Sequence, residues 1–460
     1  MKWQPSAPRL VRGAGVTRRQ WMVPALALGG LGAIAACGGP PAAPAGGGGP
    51  QPAEQGKVLY WQESASEQAQ QLWGTMAASF KEAYPKIEIE FDATPVPPGQ
   101  SRDDKLLAAL AAGTAWDVWQ RDIPPSYQQP LVDQKAVLAL DEYYASMPNL
   151  KRIHPWARNR SKLYGKTWGV PHEVEFIPIF YNKTAWQKGG IREAPKTWDQ
   201  FIALNQTLKS AGLQPMNIVK GRTNPGHNFS IYLMGLIGKD GFEELLYRDR
   251  RWEGHEGVIR AAQTLVDFQK QGFIPLDCQT GTYSVATDFQ NGTQAMWGSG
   301  TWEVAGLERR RRDTPGFEFD FFIPPQQDSR IKPTITGGLG GGFSIWSQSK
   351  QPQAAVTMVD FLMSPTAQKH WIEIMFQVAP VPFKPEDYTV PDVLAGALRT
   401  IASGQEMGYN VSVVVPAKFV DVYWDGLVEI LNNQLTPRDW AARLQQEWDV
   451  ARQENRTPKP

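Results

Sequence analysis

Beyond residue 56 the chain alternates short apolar runs with amphipathic stretches, so the apolar repeat switches between strand-like and helix-like spacing. Val58-Leu59-Tyr60-Trp61 reads as a strand. Glu67 to Tyr84 follows as a helix, with Leu72, Met76, Phe80 and Tyr84 at fourfold spacing on one face. Pro85 ends it, and Ile87 to Phe91 alternates as a half-buried strand. Leu106 to Ala112 is helical until Gly113 stops it, and Trp116 to Trp119 forms the next strand. This succession predicts an α/β fold, in which ligands bind at the carboxyl ends of the strands. A chain of 460 residues exceeds what one compact core holds, so two lobes are expected.

Residues 1–36 follow another pattern. Lys2, Arg9, Arg12, Arg18 and Arg19 are unopposed by any acid, and Thr17 to Met22 (TRRQWM) resembles the twin-arginine export motif. Met22 to Ala36 then runs 15 residues without a charge, too short to span a membrane and suited to the apolar part of a signal peptide. It closes in Ile34-Ala35-Ala36-Cys37, similar to a bacterial lipobox, which implies lipidation of Cys37. Residues 37–56, rich in Gly, Pro and Ala, contain little that could order a chain and read as a flexible tether. The expectation is an exported body held at the outer face of the cytoplasmic membrane through its lipid anchor only.

With the five N-terminal cations set aside, 42 basic side chains face 46 acidic ones. A mildly acidic body lacks the basic face that nucleic acid requires. The run Arg309 to Arg312 is flanked by Glu308 and Asp313 and reads as a solvated patch. Two cysteines cannot build a disulfide framework, and Cys278 reads as a packed thiol. Most of the 18 Trp, 13 Tyr and 19 Phe must be core, although a surplus of Trp is also what a sugar-binding cleft would use. Flat aromatic faces also suit the C–H faces of pyranose rings.

Several segments appear in the order found in one known family. They are Phe80 to Pro85 (FKEAYP) with Ile87 and Ile89, and Leu106 to Gly113 with Trp116, Asp117 and Val118. Gly165 to Pro171 (GKTWGVP), Phe180 to Lys183 (FYNK) and Pro195 to Phe201 (PKTWDQF) follow. Phe289 to Gly292, then Ala295, Met296 and Gly300 to Trp302, complete the set. Over about 400 residues the chain thus resembles the maltose-binding-protein-like, carbohydrate-type solute-binding proteins of bacterial ABC importers. Trp116 departs from that pattern, standing where the family usually has proline.

The resemblance implies a two-lobe periplasmic-binding-protein-like fold of type II, with the ligand cleft between lobes joined by crossing hinge segments. Lobe 1 is expected over 57–174 with 343–385, lobe 2 over 175–336 with 386–450, and a tail over 451–460. The glycine-rich 337–342 would be a hinge crossing, where glycine permits close approach of a ligand. It is no phosphate cradle, because no Lys-Ser/Thr follows and Phe343 to Trp346 reads as strand.

Sugar recognition calls for aromatic faces together with carboxylates, amides and guanidinium groups placed just after strands. Trp61, Gln62 and Glu63 close the first strand, and Arg121 with Asp122 closes the strand 116–119. By resemblance, Glu175 corresponds to a ligand-contacting glutamate, and Glu173 competes for that role from the same strand face. Trp297, Ser299 and Trp302, the hinge glycine Gly338, and Tyr423 with Trp424 complete the candidates. An enzyme is not expected: there is no nucleophile elbow, no zinc-protease motif, and the five histidines lack metal-ligand spacing. A secreted glycan hydrolase and a surface lectin are the alternatives. The resemblance implies a carbohydrate ligand, ABC permease subunits with a cytoplasmic ATPase as partners, a monomeric chain and no cofactor.

Overall fold

The computed structural model describes residues 49–458, apart from 62–66, 93, 95, 97–101, 219–222, 280–283 and 404–406. The signal segment, Cys37, most of the tether, Gln62 and Glu63 therefore lie outside the described residues. A first sheet runs in the order Ile87–Asp92, Gly56–Trp61, Val118–Asp122, Gly341–Ile345, Val170–Pro171. Its first three strands are parallel, and Gly341–Ile345 enters antiparallel from much later in the chain. Helices Glu67–Ala83 and Pro352–Leu362 pack beside it. Both faces of this sheet are covered. Val58, Tyr60 and Val118 enter one apolar cluster, while Trp61 and Trp119 enter another with Leu106, Trp116 and Leu131. This is why the strands carry large apolar residues at successive positions rather than alternating cleanly.

A second sheet has the order Phe319–Phe322, Ile179–Asn182, Gln294–Gly298, Gln214–Met216. Around it pack Trp198–Ser210, the long helix Thr223–Tyr247, Glu256–Lys270, and the late helices Ala417–Leu431 and Pro437–Gln453. The long helix breaks at Gly238, whose φ of 63° a side chain would resist. Asn182 and Thr197 cap their helices by accepting from Ala185 N–H and Gln200 N–H. Cys278 is buried in this core beside Gln269. Arg311 meets Glu308 at 2.8 Å and Arg310 donates to Gln290, so the arginine run is largely engaged locally.

The chain passes between the sheets through an antiparallel pair, Val174–Phe176 against Gly337–Leu339, with Gly338 opposite Glu175. Val378 and Gly337 carbonyls accept from Val174 N–H and Asn410 N–H, which ties later segments to the same crossing. Arg160 adds a further tie, donating to the Gly408 carbonyl at 2.8 Å with its guanidinium 4.0 Å from the Tyr409 ring centroid. The fold is thus α/β and two-lobed, with crossing segments between the lobes. Among the described residues no helix is long and apolar enough to cross a membrane.

Two predicted strands are displaced. The strand expected at 116–119 lies at Val118–Asp122, and just before it the Asp117 carboxylate takes the Leu59 N–H at 2.8 Å in place of a ladder carbonyl. The strand expected from Phe343 begins at Gly341, inside the glycine run. Asp360 fastens a distant loop to the first lobe. Its carboxylate accepts from the N–H groups of Asn149 and Leu150 and from the Asn149 amide, each at 2.9 Å. Asp360→Ala leaves these donors without a partner, so unfolding free energy should fall by about 3 kcal/mol, measured by urea denaturation.

Candidate functional site

Where the two lobes face each other across the crossing lies a cavity of about 520 Å³. The first lobe contributes Arg102, Gln120, Arg121, Asp122 and Tyr127. The crossing contributes Glu173, Glu175, Gly340, Gly341 and Gln377. From the second lobe come Thr223, His227, Trp302, Asn410, Ser412 and Trp424.

Three carboxyls define the chemistry at the crossing. Glu173 accepts from the Gln377 amide at 3.2 Å, and Glu175 lies directly over Gly340. A β-carbon at Gly340 would occupy the space of the Glu175 carboxylate, so glycine is required there. Burial is the main cause that pushes Glu173 up to about 7, with the Asp122 charge adding to it. Burial, then the charges of Glu173 and Asp122, raise Glu175 well above the usual carboxylate range. Asp122 is also raised by burial, against the opposing pull of Arg121 and Arg102. Arg121 itself is paired with Asp103. Among the described residues no group of acids, histidines and cysteines is placed to hold a metal ion.

Polar side chains around the acids are fixed in place. Gln120 receives the Tyr60 hydroxyl at 3.2 Å and lies 2.5 Å from His172 Nε2. Burial holds His172 down to about 4, so its neutral ring stacks on Trp371 at 4.8 Å and can accept from the Gln120 amide. Across the cavity, Trp302 donates its indole N–H to Glu303 at 3.2 Å, and Ser299 donates to the same oxygen at 3.3 Å. The Trp302 ring packs against Gly300, where a β-carbon would collide with it, and meets His227 edge-on at 5.1 Å. Asn410 accepts from the Ser412 hydroxyl at 3.2 Å. The wall therefore offers acceptors, amides and two indoles from opposite sides, a set that can bind a polyhydroxylated ring.

Of the residues named from the sequence, Arg121, Asp122, Glu173, Glu175, Trp302 and Trp424 line this cavity. Both glutamates do so, as strand alternation requires. Others are placed elsewhere. Trp61 is fully buried and stacks on Trp116 at 4.5 Å, because the sheet it closes is covered on both faces. Trp297 sits in an apolar cluster with Phe180 and Phe289. Tyr423 is buried, its hydroxyl donating to the Gly226 carbonyl at 2.6 Å, while the next residue on the helix turns Trp424 toward the cavity. Ser299 does not line the cavity and shares with Trp302 only the Glu303 oxygen to which both donate. Gly338 serves strand pairing, and Gly340 and Gly341 form the wall instead. The sequence reading missed Gln120, Tyr127, His227, Gln377 and Asn410. For Gln120 a signal existed, since it directly precedes Arg121 at the end of a strand.

The family described as bacterial extracellular solute-binding protein matches residues 55–369. A diacetylchitobiose binding protein of Streptomyces coelicolor is 24% identical over 310 residues, covering 64% of this chain and 66% of that one. A multiple sugar-binding protein of Streptococcus mutans is 22% identical over 227 residues, or 47% and 52% of the two chains. Among solved structures, a chitin oligosaccharide binding protein superposes with a TM-score of 0.72 at 19% identity, covering 87% of this chain and 99% of that one. That likeness shares the fold.

The raised carboxyls make stability depend on pH. Between the ordinary glutamate value of 4.5 and about 7 the folded protein holds a proton at Glu173 that the unfolded chain has released. Stability of the unliganded protein should therefore fall as pH rises through that window. In Glu173→Gln the fall should be shallower, leaving the variant about 2 kcal/mol more stable than the parent near neutral pH. Urea titrations of both proteins at a series of pH values check this.

Proposed function

The chain belongs to the bacterial extracellular solute-binding protein family, and from that premise we propose that it captures a carbohydrate between its lobes and delivers it to an ABC permease. Members of this family bind and hand on a solute. The observation that carries the carbohydrate reading is the wall itself: Asp122, Glu173 and Glu175 beside Gln120 and Asn410, with Trp302 and Trp424 on the same cavity. Carboxyls and amides that are buried, as at Glu173 and Asn410, or half-buried, as at Asp122, Glu175 and Gln120, make paired hydrogen bonds to vicinal hydroxyls. The indoles cover the apolar ring face. Relatives named for sugars and chito-oligosaccharides support the same class.

Contacts from both lobes to one ligand stabilise a closed arrangement over an open one, and the closed form is what the permease reads. ATP hydrolysis by the cytoplasmic subunits drives the transfer, so the receptor works without a cofactor and as a monomer. A di- or oligosaccharide matches a cavity of about 520 Å³ with aromatic faces on its second-lobe side. Residues 1–36 direct export, and Cys37 carries the lipid that holds the body near the permease.

Thermal denaturation of the mature chain against mono-, di- and oligosaccharides, polyols and glycerol phosphates tests this reading. One sugar class should raise the melting temperature by several degrees without being broken down. A rise with a glycerol phosphate alone, or with nothing in the panel, contradicts it. For the stabilising sugar, Trp302→Ala and Glu175→Ala should each weaken binding about 10–100-fold by calorimetry. Cys37→Ser should move the protein from the membrane fraction to the soluble exported fraction, read by fractionation and immunoblotting.

A further inference from the structure

A second cavity, of about 280 Å³, adjoins the first and shares Arg121, Asp122, Tyr127, Ser412 and Trp424 with it. Its remaining walls differ in character. Leu106 and Leu107 come from the helix Arg102–Ala111, Pro130 and Leu131 from Pro125–Asp133, and Ala417 and Val420 from Ala417–Leu431. Asp103 and Asp421 also line it, and Asp103 is already paired with Arg121. We propose that this cavity is an aglycone subsite, so that the cargo is a glycoside: a sugar seated among the carboxyls, bearing an aryl or alkyl substituent that passes Trp424 and lies between the leucines and Val420.

The inference rests on the carbohydrate reading and narrows it. A further pyranose in the second cavity would press several hydroxyls against leucine, proline and valine, and Asp103, Asp421 and Ser412, which also line it, would leave the hydroxyls on that apolar side without acceptors. An apolar group there exchanges water for a wall built from three helices. Both lobes supply that wall, so the substituent adds to the contacts that favour closure. Trp424, lining both cavities, is placed to cover the bond that joins sugar and substituent.

Calorimetry on the mature protein tests it with chitobiose, xylobiose and maltose, each paired with its para-nitrophenyl glycoside in both anomers. At least one sugar should bind, and one of its nitrophenyl glycosides should bind about tenfold or more tightly. Ala417 is exposed at the start of its helix, so Ala417→Phe fills the second cavity without disturbing the core. That variant should keep the affinity for the free disaccharide and lose the gain from the nitrophenyl group. If a free disaccharide binds and its nitrophenyl glycosides bind equally or more weakly, the aglycone subsite is wrong and the carbohydrate reading stands. If the corresponding trisaccharide gains as much, and Ala417→Phe abolishes that gain, the cavity is a sugar subsite and the inference is overturned. If no disaccharide and no nitrophenyl glycoside binds, the carbohydrate reading fails and takes the inference with it.

Discussion

The antiparallel crossing of Val174–Phe176 with Gly337–Leu339 joins the two sheets and, with Glu173 just before it and Glu175 within it, carries two of the three acids of the cavity. Every other feature of the site depends on that double duty. The pairing sets Gly338 opposite Glu175 and leaves Gly340 beneath the Glu175 carboxylate, where any side chain would take its place. The Gly340 N–H donates to the Glu173 carbonyl, and Val378 and Asn410 attach later segments to the same ribbon. Movement of one lobe against the other must pass through these few residues. A ligand held by Glu173 and Glu175 therefore sits where a small change in backbone torsion has its largest effect on lobe separation.

Electrostatics give the crossing its affinity for hydrogen-bond donors. Burial raises all three acids, the Asp122 charge adds to the rise of Glu173, and the charges of Glu173 and Asp122 add to that of Glu175, so the empty cavity is costly to ionise fully. Arg121 relieves this only in part, being tied to Asp103. Hydroxyl donors from a sugar can satisfy several of these oxygens at once without bringing a charge into the cleft. On the proposed reading, a ligand that supplies those donors would stabilise the closed arrangement over the open one.

Much of this was legible in the sequence, for identifiable reasons. Strand and helix positions followed from apolar spacing and from Pro85 and Gly113. Asp122 stood out because it closes a strand, whereas Glu175 was named through the family resemblance and Glu173 because it shares that strand face. Aromatic residues were harder, since an indole serves a core and a sugar face equally well. Trp61 and Trp297 went to the core because both sheets are covered on two faces, a fact of tertiary packing. Tyr423 and Trp424 are neighbours in sequence, yet one helical step separates a buried hydroxyl from the cavity wall. Gln377 and Asn410 were illegible because they reach the site from loops whose course is set by bonds to the crossing.

The most direct test of the central claim is a crystal structure of the mature chain with the sugar that most raises its melting temperature. The account predicts the sugar in the cavity at the crossing, its hydroxyls on Asp122 and Glu175 and a ring face against Trp302 or Trp424. A sugar bound on one lobe alone, away from the Val174–Phe176 crossing, would contradict it.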